Sequence, residues 1–446
     1  MDIYKYLAEI SSAHTKRPGL ERINLMLEHL GHPERDYEIV HIVGTNGKGS
    51  TAQFIASILQ AAGQQVGLFT SPHLVEFTER IQVNRATIPE EDLNRIFQEL
   101  YPCIQELAAG PYGRPGLFEV ATAVGLKYFS EMGVDYAVLE AGMGGRYDAT
   151  NVGSPAVTVI THIDLDHTEV LGDTVELIAA EKAEGIRPGG IVVTAPQSGA
   201  AKEVIAAMAA RRGAKLIDVE QEYQVSGALP GPRGTSFAVS RRGLRRHFHI
   251  NMLGLFQITN AVTALAAVDA LVEKGLRITD RQVVEGMEKA RWPGRLEVVA
   301  KDPLVVLDGA HNLDGCRQLA AALPVYFTWR RLHLIMAITG QKPYKSMLQV
   351  LLPEADTVVF TTPQSSRSAP ADPNHLQELA QGLVEKAGTA DSFGTAFREV
   401  KRYAHPQDLI CVCGSLYLVG EARKLLGPHG DSAGIVDLGA EISKTR

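Results

Sequence analysis

The sequence predicts an α/β protein of two domains, with a mostly parallel sheet and a small antiparallel part in 1–292 and a second α/β fold in 297–446. Three observations predict it. Short apolar runs alternate with helix-length amphipathic segments, the pattern of a parallel sheet with helices on both faces. The chain has 446 residues, more than one hydrophobic core organises. Finally, Pro293-Gly294 in RWPGRLE punctuates the chain, and the alternation restarts beyond it.

In the first stretch YEIVHIVG, QQVGLFTS, DYAVLEAG and PAVTVITHI read as buried strands. STAQFIASILQAAG and LFEVATAVGLKYFSEMG carry helical patterns, and the second ends in a glycine suited to a C-cap. Residues about 214–250 break the alternation. There TSFAVSRRGLRRHFHI reads as two strands around Arg241-Arg242-Gly243, an antiparallel hairpin. Helices at roughly 258–275 and 280–290 follow. In the second stretch PLVVLDGAH, RLHLIMAI, DTVVFTT and DLICVCG are the expected strands, and SSRSAPADPNH (365–375) is a solvated loop. There is no internal repeat and no low-complexity tract.

Composition narrows the function classes. Apolar residues make up 45% and charged residues 21%, ordinary for a globular chain. A net charge of −7 argues against sequence-independent binding to nucleic acid and leaves room for a small anionic substrate in a local basic pocket. Cys103, Cys316, Cys411 and Cys413 are too few and too irregularly spaced for a disulfide scaffold. Cys411 and Cys413 alternate on what reads as one buried strand face. MDIYKYLAEI lacks the layout of a signal peptide, and no run approaches the roughly 18 apolar residues of a membrane span. The expectation is a soluble cytoplasmic protein with neither nucleic-acid nor membrane partners.

The chemistry begins at VGTNGKGST, placed after a strand and at the start of a helix. It departs from G-x-x-x-x-G-K-[ST]: position 42 is Ile where the first glycine should stand, and Gly49 occupies the hydroxyl position. The physics is nonetheless that of a phosphate loop. Glycines let backbone N–H groups turn towards phosphates, and the helix N-terminus adds partial positive charge. Lys48 reaches the outer phosphates, and Ser50 or Thr51 supplies a hydroxyl for Mg²⁺.

Two other strands end in polar groups, where a parallel sheet faces its ligand. One ends in Ser71-Pro72-His73. The other ends in Glu140, a carboxylate that a buried strand tolerates only if a cation such as Mg²⁺ matches it. The glycine-dense AGMGGRYDATN then brings backbone close to a substrate, with Arg146 and Asp148 for polar reach. The next strand runs into Asp164-Leu165-Asp166-His167, a metal-proximal or catalytic cluster. Glu181-Lys182 by itself reads as a solvated charge pair.

GTNGKGST, TSPHLVEFTERIQVN, VLEAGMGGRYDATN, DLDHTEVLGDT, EKA, WPGRLE and DGAHN occur together and in order. This set resembles folylpolyglutamate synthase/dihydrofolate synthase, of the Mur-type ATP-dependent amide ligases, over nearly the whole chain. The resemblance implies a P-loop ATP-binding domain of the Mur central type in 1–292 and a Rossmann-like glutamate ligase domain in 297–446. It implies a monomeric, Mg²⁺-dependent enzyme that adds L-glutamate to dihydropteroate or to reduced folates through an acyl phosphate. By it Asn46, Gly47, Lys48, Gly49, Ser50 and Thr51 bind ATP, and Ser71, Glu140 and His167 bind Mg²⁺. Lys182 becomes the active-site lysine that is carbamylated in many members. Asn260, Arg295 and Asp308 contact nucleotide, with His311 nearby as a catalytic group. The acceptor pocket involves HTKRPGLER, Phe118, Glu119, Arg146 and Asp148.

One departure stands out. Glu184 occupies the position after EKA where the family usually has glycine, and a carboxylate there is expected to alter the charge balance around Lys182. The implied groups also fall in both domains, so Arg295 is expected to swing onto ATP as the hinge at Pro293-Gly294 moves. Two rivals stand beside this reading. A peptidoglycan-precursor ligase is expected to carry an extra N-terminal domain, and the P-loop here starts about 43 residues in. A non-ligating ATP switch would not need DGAHN or the arginine of PGRLE.

Overall fold

The computed structural model describes residues 2–10, 19–340, 342–366 and 369–427. Residues 14–18 of HTKRPGLER and 367–368 of the polar loop lie outside them. The chain divides into two compact units. Unit 1 comprises Met1–Ser226, Ala238–Phe248 and Thr259–Ala290, and unit 2 comprises Gly227–Phe237, His249–Ile258 and Arg291–Arg446.

Unit 1 is built on an eight-stranded sheet. Its strands are β1 (Glu38–Val43), β2 (Val66–Phe69), β3 (Ile81–Val83), β4 (Ala86–Thr87), β5 (Tyr136–Glu140), β6 (Val157–Ile160), β7 (Ile191–Thr194) and β8 (Lys215–Asp218), in the order β4-β3-β2-β5-β1-β6-β7-β8. β1 pairs in parallel with β5 on one side and β6 on the other, and β2 pairs in parallel with β5. The four strands that end in the expected site residues are therefore neighbours, and their carboxyl ends open on one edge. β3 and β4 pair antiparallel at the margin, so the sheet is mixed. One apolar core lies under the helices Glu90–Ala109 and Leu117–Glu131, and another packs Ile178, Ala179 and Ala183 against Ile205 and Met208. The helix Asp280–Lys289 lies directly on the helix Lys48–Ala61, where Ser57 Oγ donates to Gly286 O at 2.7 Å.

The predicted hairpin is part of a three-stranded sheet, β9 (Gln224–Gly231), β10 (Gly234–Arg241) and β11 (Leu244–Ile250), in the order β11-β10-β9. Unit 2 carries a six-stranded sheet of β12 (Glu297–Lys301), β13 (Leu304–Leu307), β14 (Leu332–Met336), β15 (Thr357–Thr361), β16 (Lys386–Ala390) and β17 (Leu409–Cys413), ordered β12-β13-β17-β14-β15-β16. Only β12–β13 is antiparallel. The four strands expected here occupy the centre. β12 and β16 are edge strands, whose half-exposed residues lack a sustained apolar run. Cys411 and Cys413 are fully buried on β17 among Leu334, Met336 and Leu319. Among the described residues no helix is long and apolar enough to cross a membrane.

Candidate active site

The loop after β1 turns sharply into the helix Lys48–Ala61, and Gly47 makes that turn possible. Its φ is 87°, and a Cβ there would lie 2.3 Å from Asn260 Oδ1. Asn260, expected at the nucleotide, thus sits directly behind the phosphate loop. The loop is also stitched to the segment after β6. Thr45 N and Asn46 N donate to His162 O at 2.9 and 3.2 Å, and Thr45 Oγ1 donates to Asp164 O at 3.0 Å. Gly49, Ser50 and Thr51 are buried in the helix's first turns.

Two ammonium groups converge on one carbonyl of this loop. Lys48 Nζ donates to Gly44 O at 3.2 Å and to Thr45 O at 3.0 Å, while Lys182 Nζ donates to Gly44 O at 2.7 Å. Lys182 is only 3% exposed, so the solvated charge pair that its local sequence suggests is overturned. Its ammonium is desolvated and repelled by Lys48, and these effects push its pKa down to about 7 against the pull of Asp166, Asp148 and Glu181. Glu184 has basic partners of its own. Its carboxylate pairs with Arg212 and lies 3.5 Å from Arg211, both on the helix Gly199–Arg211 or at its end.

Glu140 ends β5 with its carboxylate 5% exposed and accepts from Ser71 N at 3.0 Å. The bond holds the segment after β2, whose Ser71-Pro72 peptide is cis. Behind it Arg80 Nε donates to His73 Nδ1 at 2.9 Å. A buried carboxylate is an oxygen donor that suits a hard dication such as Mg²⁺. His167 is different in kind. It caps the short helix Thr168–Leu171 at φ 51°, and its ring is 45% exposed, 3.8 Å from Glu169.

The glycine-dense loop after β5 docks onto the end of the helix Val175–Ala183. A Cβ on Gly145 would lie 2.8 Å from Lys182 O, and Arg146 N donates to Glu181 O at 3.2 Å. The Arg146 side chain is exposed and lies over the Tyr147 ring, 5.0 Å from its centroid. Asp148 is buried and holds the loop's shape by accepting from Met143 N at 2.9 Å and from Thr150 N at 3.0 Å. Burial nonetheless pushes its carboxyl upward. Glu119 likewise works within the protein, accepting from Arg22 Nε at 2.9 Å and from Gly116 N at 2.7 Å. Phe118 packs edge-on to Phe69.

In unit 2, Asp308 directly follows β13 and braces a strained turn. Leu296 is held at φ 46°, and its N–H donates to Asp308 Oδ2 at 2.9 Å while Ala310 N donates to Oδ1 at 2.8 Å. Burial raises the Asp308 carboxyl, with Arg295 acting against it. The Arg295 guanidinium lies against Gly309 and donates to Gly294 O at 3.3 Å. His311 Nδ1 donates to Gly309 O at 2.9 Å. Reading the sequence singled out no role for Thr45, His41 and Thr150, and covered Arg22 only as part of HTKRPGLER. Only His41 left a local signal, a histidine inside an otherwise apolar strand.

A P-loop sheet edge with a buried lysine, followed by a separate α/β unit, is the layout of the Mur-type ligases. The Mur ligase middle domain matches residues 119–268, and the Mur ligase glutamate ligase domain matches residues 294–416. Among curated proteins, dihydrofolate synthase/folylpolyglutamate synthase of Bacillus subtilis is 36% identical over 415 residues, 92% of this chain and 95% of that one. Mycobacterium tuberculosis folylpolyglutamate synthase complexed with ADP superposes with a TM-score of 0.89 at 30% identity, covering 95% of this chain and 98% of that chain. E. coli FolC in complex with DHPP and ADP gives 0.85 at 28% identity, covering 95% and 97%. The chain belongs to the dihydrofolate synthase/folylpolyglutamate synthase family of Mur ligases, ATP-dependent enzymes of glutamate addition.

Proposed function

We propose that this enzyme accepts both dihydropteroate and reduced folates, and that Lys48, Lys182, Glu140 and Ser71 form its phosphoryl-transfer centre. The observation that carries the proposal is the meeting of Lys48 and Lys182 on Gly44 O, at the mouth of the phosphate loop. The acceptor carboxylate attacks the γ-phosphorus of ATP, and ADP departs. The amine of L-glutamate then attacks the acyl carbon, the C–O bond to phosphate breaks, and phosphate leaves with the amide formed.

In this reading the amides of Asn46 to Ser50 and the Lys48 ammonium hold the phosphates, and Lys48 neutralises charge on the transferring group. Asn260 sets the turn at Gly47. Glu140, Ser71 and His167 would hold Mg²⁺, which when bound screens the negative charge of the phosphates. Lys182 works as a carbamate. Its pKa of about 7 leaves a large fraction as free amine at neutral pH, the form that adds CO₂ with loss of a proton. Arg146, exposed on the loop, pairs with the acceptor's carboxylates, and Phe118 lines the acceptor's aromatic side. Asp148 and Glu119 act through the loop and helix they hold. Arg295 is a ligand of nucleotide phosphate, His311 supports the reacting groups, and Asp308 keeps the Arg295 turn in shape.

ADP release with dihydropteroate or with tetrahydrofolate, each with and without glutamate, tests the reading. Release that requires both acceptor and glutamate, with either acceptor, is expected. Release without any acceptor would favour an ATP switch, and activity with only one acceptor would remove the dual specificity.

A further inference from the structure

His41 sits in β1, the sheet's central region, fully buried in a run of isoleucines and valines. The chemistry above does not use it. Its Nε2 is 2.9 Å from Thr150 Oγ1, and that hydroxyl is 2.5 Å from Asp148 Oδ1. Asp148 already accepts from Met143 N and Thr150 N, so it is the acceptor of this chain as well. The proton order is then fixed: Thr150 donates to Asp148, and His41 must donate from Nε2 to Thr150. Burial, with Arg187 nearby, holds the His41 ring down at about 3, so it carries one proton at any working pH. His41 Nδ1 is buried with no hydrogen-bond partner among the described residues, so the ring's place in an apolar strand is explained by Nε2.

We propose that His41, Thr150 and Asp148 form a one-directional positioning relay, which fixes the loop from Gly142 to Tyr147 against the helix that carries Lys182. Asp148 is the loop's internal clamp, and two hydrogen bonds tie that clamp to the rigid sheet. Through it the relay aims Arg146, while Gly145 keeps its contact with the Lys182 carbonyl. The phosphate loop makes no bond in the relay. Loss of the relay should therefore weaken the acceptor and spare ATP. That consequence rests on the acceptor role proposed for Arg146.

Two variants at Thr150 test it. Thr150→Val removes the hydroxyl and keeps the shape, and Thr150→Ser keeps the hydroxyl. For Thr150→Val we expect KM for the folate acceptor to rise about tenfold or more, the scale of a displaced positioning group, with KM for ATP within about twofold. Thr150→Ser should match the wild type. A second readout needs no catalysis: trypsin should cut after the exposed Arg146 faster in Thr150→Val and at the wild-type rate in Thr150→Ser. His41→Leu should reproduce Thr150→Val, and the double variant should be no worse than either alone. Faster cleavage with an unchanged acceptor KM would leave the relay standing and refute the role of Arg146. Wild-type cleavage in Thr150→Val, or equal damage in Thr150→Ser, would overturn the relay.

Discussion

Replacing Lys182 by Met should remove a pH dependence from the stability of the nucleotide-free protein. The lysine has a pKa of about 7 in the fold, against 10.5 for the free side chain. Because the folded value is depressed, the unfolded chain binds more protons between those two pH values, and stability rises as pH rises through the window. At 1.36 kcal/mol per pH unit, burying the ammonium costs about 5 kcal/mol below pH 7, and the cost vanishes above 10.5. Between pH 7 and pH 9 the wild type should gain about 2 kcal/mol relative to Lys182→Met. Losing the hydrogen bond to Gly44 O is a constant offset and leaves the slope alone. Urea unfolding of both proteins in CO₂-free buffer measures the difference. Added bicarbonate at pH 8 should then raise the midpoint of the wild type only. A difference that stays flat from pH 7 to pH 9 would refute a neutral lysine beside the phosphate loop, and with it the route to a carbamate.

Gly47→Ala places a Cβ 2.3 Å from Asn260 Oδ1 and forces alanine to φ 87°, so ATP should bind about tenfold or more weakly by calorimetry at a strain of ~1–2 kcal/mol. Glu140→Gln keeps the size and removes the charge, and kcat should fall on the order of 10²-fold with the melting curve unchanged. Full activity at ordinary Mg²⁺ would exclude Glu140 as a ligand. Asp308→Asn turns one acceptor towards Leu296 N or Ala310 N into a donor, which should destabilise the protein by ~1–3 kcal/mol in denaturant titration. Arg295→Ala should lose ligation in the ADP-release assay while the circular dichroism spectrum stays native, and a normal rate would remove Arg295 from the nucleotide.

The sequence by itself determined the elements that end in functional groups. Glycines before Lys48, an apolar run into Glu140 and another into Asp164 are local patterns, and each marks a strand whose carboxyl end meets the ligand. The central strands of both sheets were equally legible, because a strand buried on both faces is a continuous apolar run. β12 and β16 were not, since edge strands bury too little to carry that signal. Only the tertiary structure decided what the charges do. Lys182 looks solvated beside Glu181, yet it reaches Gly44, 138 residues away, because β6 lies next to β1. Glu184 looks like a threat to Lys182, and the fold gives it Arg212 as a basic partner. Asp148 and Glu119 read as substrate ligands, and only the fold shows that they also accept from Met143, Thr150, Arg22 and Gly116. The physical reason is common to all of them. A strand or a turn is written in neighbouring residues, whereas the pairing and desolvation of a charge depend on groups that only the crossovers of the sheet bring together.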